Sequence, residues 1–196
     1  MSTASSQSPS QALTVISANI EGLTAIKASI LSEMCKDKHC HCLCLQETHR
    51  AKDKARPKIP GMTLVAERPH NKYGSAVFIR NDLKVKSISV CAEENVEFLT
   101  IELPDVVVHS VYKPPNEKCV LPPLGHGKLP HIVIGDFNSH NSAWGYATTD
   151  DNREAVERWA DSNNLSNCQN HSIVQDGRKD TTPTSSLHRQ ELATCV

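Results

Sequence analysis

The chain predicts a layered fold of mixed β-sheet with helices outside it, of the α/β or α+β kind. Short apolar, β-branched runs recur as far as residue 136. Two other segments space their apolar residues as a helix does. Their order is strand, helix, strand, several antiparallel-looking strands, two more strands, helix. At 196 residues the chain is long enough for one domain with a sizeable core.

Residues 1–12 are rich in Ser and read as a disordered tail. LTVISANIEGL (13–23) starts as a strand and ends at Asn19, with Gly22 behind it. LTAIKASILSEMCK follows with Leu23, Ile26, Ile30, Leu31 and Met34 at helical spacing, which predicts an amphipathic helix with those residues inward. HCLCLQET is a second buried strand, and the loop RAKDKARPK after it carries five basic residues. MTLVAE, GSAVFIRN, LKVKSISV and EFLTIELP are four more strands, with turns at Gly74 and at Asn81–Asp82. VVVHSVYKPPN is a strand closed by Pro114 and Pro115, and HIVIGDFN is the last apolar strand. DDNREAVERWADSNNL reads as a helix with Ala155, Val156, Trp159 and Ala160 on its apolar side. From Asn170 on no periodicity is visible, so 171–196 is expected to be irregular and 13–170 to form the domain.

The formal net charge is -1, from 21 basic and 22 acidic residues, so bulk charge does not draw this chain to nucleic acid. A phosphate backbone would need a local basic patch or metal ions. Aromatics make up only 4% of the chain, which disfavours binding single strands by base stacking. No apolar run approaches the roughly 20 residues that span a bilayer, and the N-terminus does not read as a signal peptide. An intracellular location without membrane association is expected, where thiols stay reduced. Cys40, Cys42 and Cys44 alternate with His41, Leu43 and Leu45. That is strand periodicity rather than paired C-x-x-C knuckles, so these thiols read as small core groups.

Four apolar strands end in polar residues. The first ends at Asn19 with Glu21, and the second at Gln46 and Glu47. The third ends at Tyr112 and Asn116, and the fourth at Asp136, Asn138 and His140. Taken singly, each has an ordinary explanation, because Asn and Asp favour turns. Repeated at four strand ends, where a sheet holds groups rigidly, they suggest a site. The residue types fit one chemistry. Mg²⁺ takes one or two carboxylates, water and phosphate oxygens, and Glu47 supplies a carboxylate. Asp136 can accept a proton from an attacking water or share the metal. Asn19 and Asn138 form hydrogen bonds without adding negative charge, and Tyr112 can donate to a phosphoryl oxygen. Together these describe metal-assisted phosphodiester hydrolysis.

Asn19 after a strand, LQET with Glu47, VYKPPN with Tyr112 and GDFNSHN with Asp136 and Asn138 occur in that order. This ordered set resembles the endonuclease/exonuclease/phosphatase superfamily, and most of all the AP-endonuclease-like endonuclease domains of non-LTR retrotransposons. SHNSAWG, with His140, Trp144 and Gly145, adds to that likeness. The resemblance implies a DNase I-like, four-layer α/β sandwich of two mixed sheets flanked by helices. It implies Mg²⁺, or Mn²⁺, on Glu47 with Asn19 as its neighbour. Tyr112 would contact the scissile phosphate, Asp136 would orient or activate water, and Asn138 would hold the phosphate or Asp136. His140 would bind substrate. The implied partner is DNA, and the implied location is the nucleus if that DNA is genomic. The superfamily pattern continues with a further strand carrying an Asp and a closing Ser-Asp-His, and nothing after residue 170 matches these. The last strands are therefore expected to be missing, and activity to be weak or lost. A phosphatase acting on a small phosphoester, and an inactive remnant or binding module that keeps the fold, are the competing readings.

Overall fold

The apolar runs assemble into two sheets packed face to face. The structure is a computed structural model and describes residues 13–55, 58–125, 127–138, 151–167 and 194–195. The first sheet contains β1 (Val15–Asn19), β2 (Cys42–Gln46), β3 (Met62–Arg68) and β4 (Ser75–Arg80), in the order β1-β2-β4-β3. β1 and β2 are parallel and joined by α1 (Ala25–Asp37), a connection that parallel neighbours require. The second sheet contains β5 (Ser87–Glu93), β6 (Val96–Glu102), β7 (Val107–Tyr112) and β8 (His131–Asp136). Its antiparallel β5, β6 and β7 lead to β8, which runs parallel to β7. α2 (Asp151–Ser162) follows β8.

Alternation along the strands sorts side chains into three cores. In β2, Cys42 and Cys44 face the space between the sheets, where they meet Val77, Ile79, Leu99, Ile101 and Ile134. Leu43 and Leu45 face the other way, onto Leu31 and Cys35 of α1. Val133 of β8 and Phe98 of β6 cover the outer face of the second sheet, against Val156, Trp159 and Ala160 of α2. The layers thus run helix, sheet, sheet, helix, the four-layer sandwich expected. The three β2-region thiols are all buried, and hydrogen bonds to neighbouring thiols, then burial, push Cys40 and Cys42 above the usual thiol range.

One expectation is corrected. The buried stripe of α1 is Ala28, Leu31, Ser32 and Cys35, while Ile26 and Ile30 are 75% and 57% exposed. The small and sulfur-bearing residues sit at i, i+3, i+4 and i+7, and hydrophobicity alone drew the stripe about one residue position off. The second sheet also continues beyond β8, in the order β8-β10-β9, through β9 (Ser166–Asn167) and β10 (Thr194–Cys195). β10 lies within 171–196, where no regular structure was expected, and pairs Thr194 with Val133 and Cys195 with Ile132. Two-residue strands are too short for a period to show in sequence.

On the outer face of the second sheet, His109 and His131 stack at 5.2 Å, with His109 Nε2 and His131 Nδ1 2.9 Å apart. Burial, then the neighbouring His131, pushes His109 down to about 3 from an ordinary 6.5. A depressed histidine binds protons less well folded than unfolded, so its stability contribution is lost as pH falls below 6.5. Between pH 6.5 and about 5 the fold should lose about 2 kcal/mol through this group. His109→Gln should flatten that part of a melting-temperature profile.

Candidate active site

Parallel pairing aligns the strand ends. β1 and β2 end together at Asn19 and Gln46, and β7 and β8 at Tyr112 and Asp136. Because the sheets face each other, these four ends meet across the gap. Asn19 Nδ2 of the first sheet donates to Asp136 Oδ2 of the second at 2.9 Å. The Tyr112 hydroxyl of the second sheet donates to Glu47 Oε1 of the first at 3.0 Å. Gln46, fully buried, adds a third link: it accepts from Ser17 Oγ at 3.2 Å and donates to Ser110 Oγ at 3.4 Å.

Local backbone geometry aims these groups. Glu47 and Asn138 both take left-handed backbone, at φ 53° and 43°. For a non-glycine residue this conformation is held by its surroundings, and it clusters at sites. The Glu47 carbonyl accepts from Gly22 N at 2.6 Å, and Thr48 N donates to Gly74 O at 3.0 Å, which pins the β2 end on both sides. Gly135 at φ 152° lets β8 pass close to β7, and a Cβ there would overlap the Val111 carbonyl. The glycine before Asp136 is thus a requirement of close strand approach. Gly135→Ala should cost at least about 3 kcal/mol of stability or prevent folding, as read by denaturant unfolding.

Asp136 is buried and accepts at both oxygens, from Asn19 at Oδ2 and from Asn138 N at Oδ1, 3.0 Å. Burial still raises its pKa, with Glu47 adding to the rise, while Asn19, Asn138 and Lys113 oppose it. Tyr112 is pushed well above the usual phenol range by burial first and Glu47 second, so it stays protonated and keeps a proton to donate. The second Glu47 oxygen lies 3.4 Å from His49 Nε2. Asn138 Nδ2 donates to the Lys113 carbonyl at 2.9 Å, and Lys113 N donates to the Asp136 carbonyl at 2.8 Å, which ties the two strand ends together.

Five of the six candidates are therefore brought to one place: Asn19, Glu47, Tyr112, Asp136 and Asn138. His140 lies outside the described residues. Glu21 and Asn116, the other strand-end polar residues, are exposed; Glu21 donates its backbone N–H to Asn19 Oδ1 at 3.3 Å and its carbonyl accepts from Lys27 Nζ at 3.1 Å. Sequence reasoning missed Lys113, which is 1% exposed and donates its ammonium to the Pro114 and Glu117 carbonyls at 3.2 Å. The signal was its place between Tyr112 and two prolines, in a strand end already singled out.

Among the described residues no three His, Cys, Asp or Glu side chains form a ready-made metal cage. The Glu47 and Asp136 carboxylates and the Asn19 amide oxygen nevertheless suit Mg²⁺. That ion is held by one or two carboxylates and keeps waters and substrate phosphates in its other positions. A buried carboxylate whose pKa is raised, beside a second carboxylate, is also a place where a divalent cation relieves repulsion.

Among solved structures, the chain superposes on an AP endonuclease from Archaeoglobus fulgidus with TM-score 0.53, at 15% identity over 77% of this chain and 71% of that one. It superposes on the endonuclease domain of TRAS1, a telomere-specific non-LTR retrotransposon, with TM-score 0.52, at 12% identity over 94% of this chain and 85% of that one. At such identities these likenesses speak to the fold. No curated protein matches the chain. Among the described residues no helix is long and apolar enough to cross a membrane. The model of the endonuclease/exonuclease/phosphatase family matches residues 16–189, nearly the whole chain, and the chain belongs to that family.

Proposed function

We propose that this protein is a divalent-metal-dependent phosphodiesterase that nicks DNA, of the retroelement endonuclease type. The observation that carries the reading is the cross-sheet pair of hydrogen bonds, Asn19 to Asp136 and Tyr112 to Glu47. Together they gather two carboxylates, an amide and a phenol at one edge of the sandwich, with Asn138 beside them. Glu47, with Asn19 beside it, would hold Mg²⁺ or Mn²⁺. When bound, that cation offsets the charge that develops on the phosphoryl oxygens.

The chain's own residues do the rest. Asp136 is the base that takes the proton of the attacking water, and its raised pKa makes it a better acceptor than an ordinary aspartate. Asn19 and the Asn138 backbone fix both of its oxygens, so the remaining lone pairs point in set directions. Tyr112 holds Glu47 in the free site and would turn the same hydroxyl proton to the scissile phosphate once substrate is bound. Lys113 puts a buried positive charge near Asp136, and Asn138 locks the two strand ends.

Tyr112→Phe should lower the nicking rate about 10- to 100-fold, on the scale of a lost oxyanion donor or somewhat below it. It should cost only about 1 kcal/mol of stability. Kinetics and urea melts on the same preparation separate the two effects. Substrate class is tested by comparing supercoiled plasmid with a small phosphomonoester under Mg²⁺. Nicking without monoester turnover supports the nuclease, and the reverse outcome would make the protein a phosphatase.

A further inference from the structure

A cavity of about 670 Å³ opens beside the strand-end cluster. Its walls include Gly22, Thr24, Ala28, His49, Lys54 and Lys58, and among the described residues no acidic one lines it. It adjoins the site directly, since His49 also touches Glu47, and Gly22 and Leu23 donate their N–H groups to the Glu47 and Thr48 carbonyls. One wall is the first turn of α1, which carries no acidic residue. The opposite rim is the basic loop after β2.

The described start of that loop, 50–55, is braced from within. Arg50 is buried, pairs with Glu67, and donates to the carbonyls of Ala51 at 3.2 Å and Lys54 at 2.6 Å. Lys54 N donates back to the Ala51 carbonyl at 3.2 Å. Arg50 is therefore a brace, its charge matched by Glu67. Lys54 and Lys58 are exposed at the cavity, and among the described residues no carboxylate holds either ammonium. In a chain of net charge -1, this is a local concentration of positive charge next to two carboxylates. Its chemistry is that of an anion site of limited depth, walled by small residues that leave room for a sugar-phosphate.

We propose that this cavity holds a backbone phosphate of duplex DNA next to the one being cleaved, with Lys54 and Lys58 as its contacts. The proposal rests on the nuclease reading above. It supplies the local basic patch that a chain without bulk positive charge requires. Each neutralised phosphate contributes a salt dependence of about -0.9 in the slope of log affinity against log salt.

The test is a salt titration of duplex DNA binding in EDTA, where no cleavage occurs, comparing wild type with Lys54→Ala/Lys58→Ala. The double variant should lose at least about 10-fold in affinity at low salt, and its slope should be shallower by about 0.9 for the one phosphate the two lysines share. Lys54→Arg/Lys58→Arg should keep the wild-type slope. An unchanged slope and affinity in the alanine variant would overturn the proposal, as would a folded wild type that does not bind duplex DNA. Turnover of bis(p-nitrophenyl) phosphate under Mg²⁺ keeps the two readings apart. Lysine-dependent DNA binding without turnover would sink the nuclease and leave the phosphate contact standing. Turnover that matches between wild type and alanine variant, with weakened DNA binding, supports both.

Discussion

Asp136→Asn is expected to lower plasmid nicking by about 10²- to 10⁴-fold, the range a positioned general base supplies, while the metal-free protein becomes more stable. The two effects share a cause. Burial makes the ionised Asp136 costly, and Glu47 adds to that cost. A carboxylate whose folded pKa is raised binds its proton more tightly folded than unfolded. Its contribution therefore favours the fold at low pH and is lost as pH rises from the ordinary aspartate value of 3.8 through the raised one. At neutral pH the native site holds an unfavourable charge; the amide removes it, keeps its oxygen on Asn138 N, and faces its NH₂ to Asn19, whose amide can turn to accept it. Sites commonly trade stability for activity in this way. Melting temperatures with and without Mg²⁺ check the point. Wild type should gain more from Mg²⁺ than Asp136→Asn does, because the cation offsets a repulsion the variant lacks.

Arg68→Ala is expected to cost about 3 kcal/mol at pH 8, since it leaves a buried carboxylate without its partner. Glu97 is fully buried between the sheets, accepting from Arg68 Nη1 at 2.8 Å and from Ser75 Oγ at 2.5 Å. Its pKa is raised, by burial above all, against the opposing pull of Ser75 and Arg68. Without Arg68 the pKa should rise further. The loss should then be largest at high pH and shrink as pH falls and Glu97 takes up a proton. Urea unfolding of both proteins at pH 5 and pH 8 measures the difference. An equal cost at both values would show that Glu97 does not carry the charge assigned to it.

The site was legible wherever its signal is local. An apolar run ending in Asn19, Glu47, Tyr112 or Asp136 declares both a buried strand and a polar group at its end. The parallel pairs β1–β2 and β7–β8 then bring those ends level. What the sequence hides is cross-chain partnership. Lys113 reads as a surface lysine until Pro114, Glu117 and Asp136 close around it, and Glu97 reads as an ordinary charge in an alternating strand until Arg68 arrives from another sheet. The α1 face was misplaced for a related reason. Ala28, Ser32 and Cys35 are small, and their burial follows from the tight fit against β2 and β4 rather than from their own hydrophobicity. Gly135 shows the converse. This glycine inside the apolar run HIVIGDFN is there because the neighbouring strand leaves no space for a side chain.

The central claim is that Glu47 and Asp136 work on one phosphodiester. Its most direct test is a nicking assay on supercoiled plasmid with Mg²⁺, comparing wild type, Glu47→Ala and Asp136→Ala, each shown to be folded. The account predicts nicking by wild type that EDTA abolishes and that both substitutions reduce to background. Full nicking by either variant, or none by folded wild type, would contradict it.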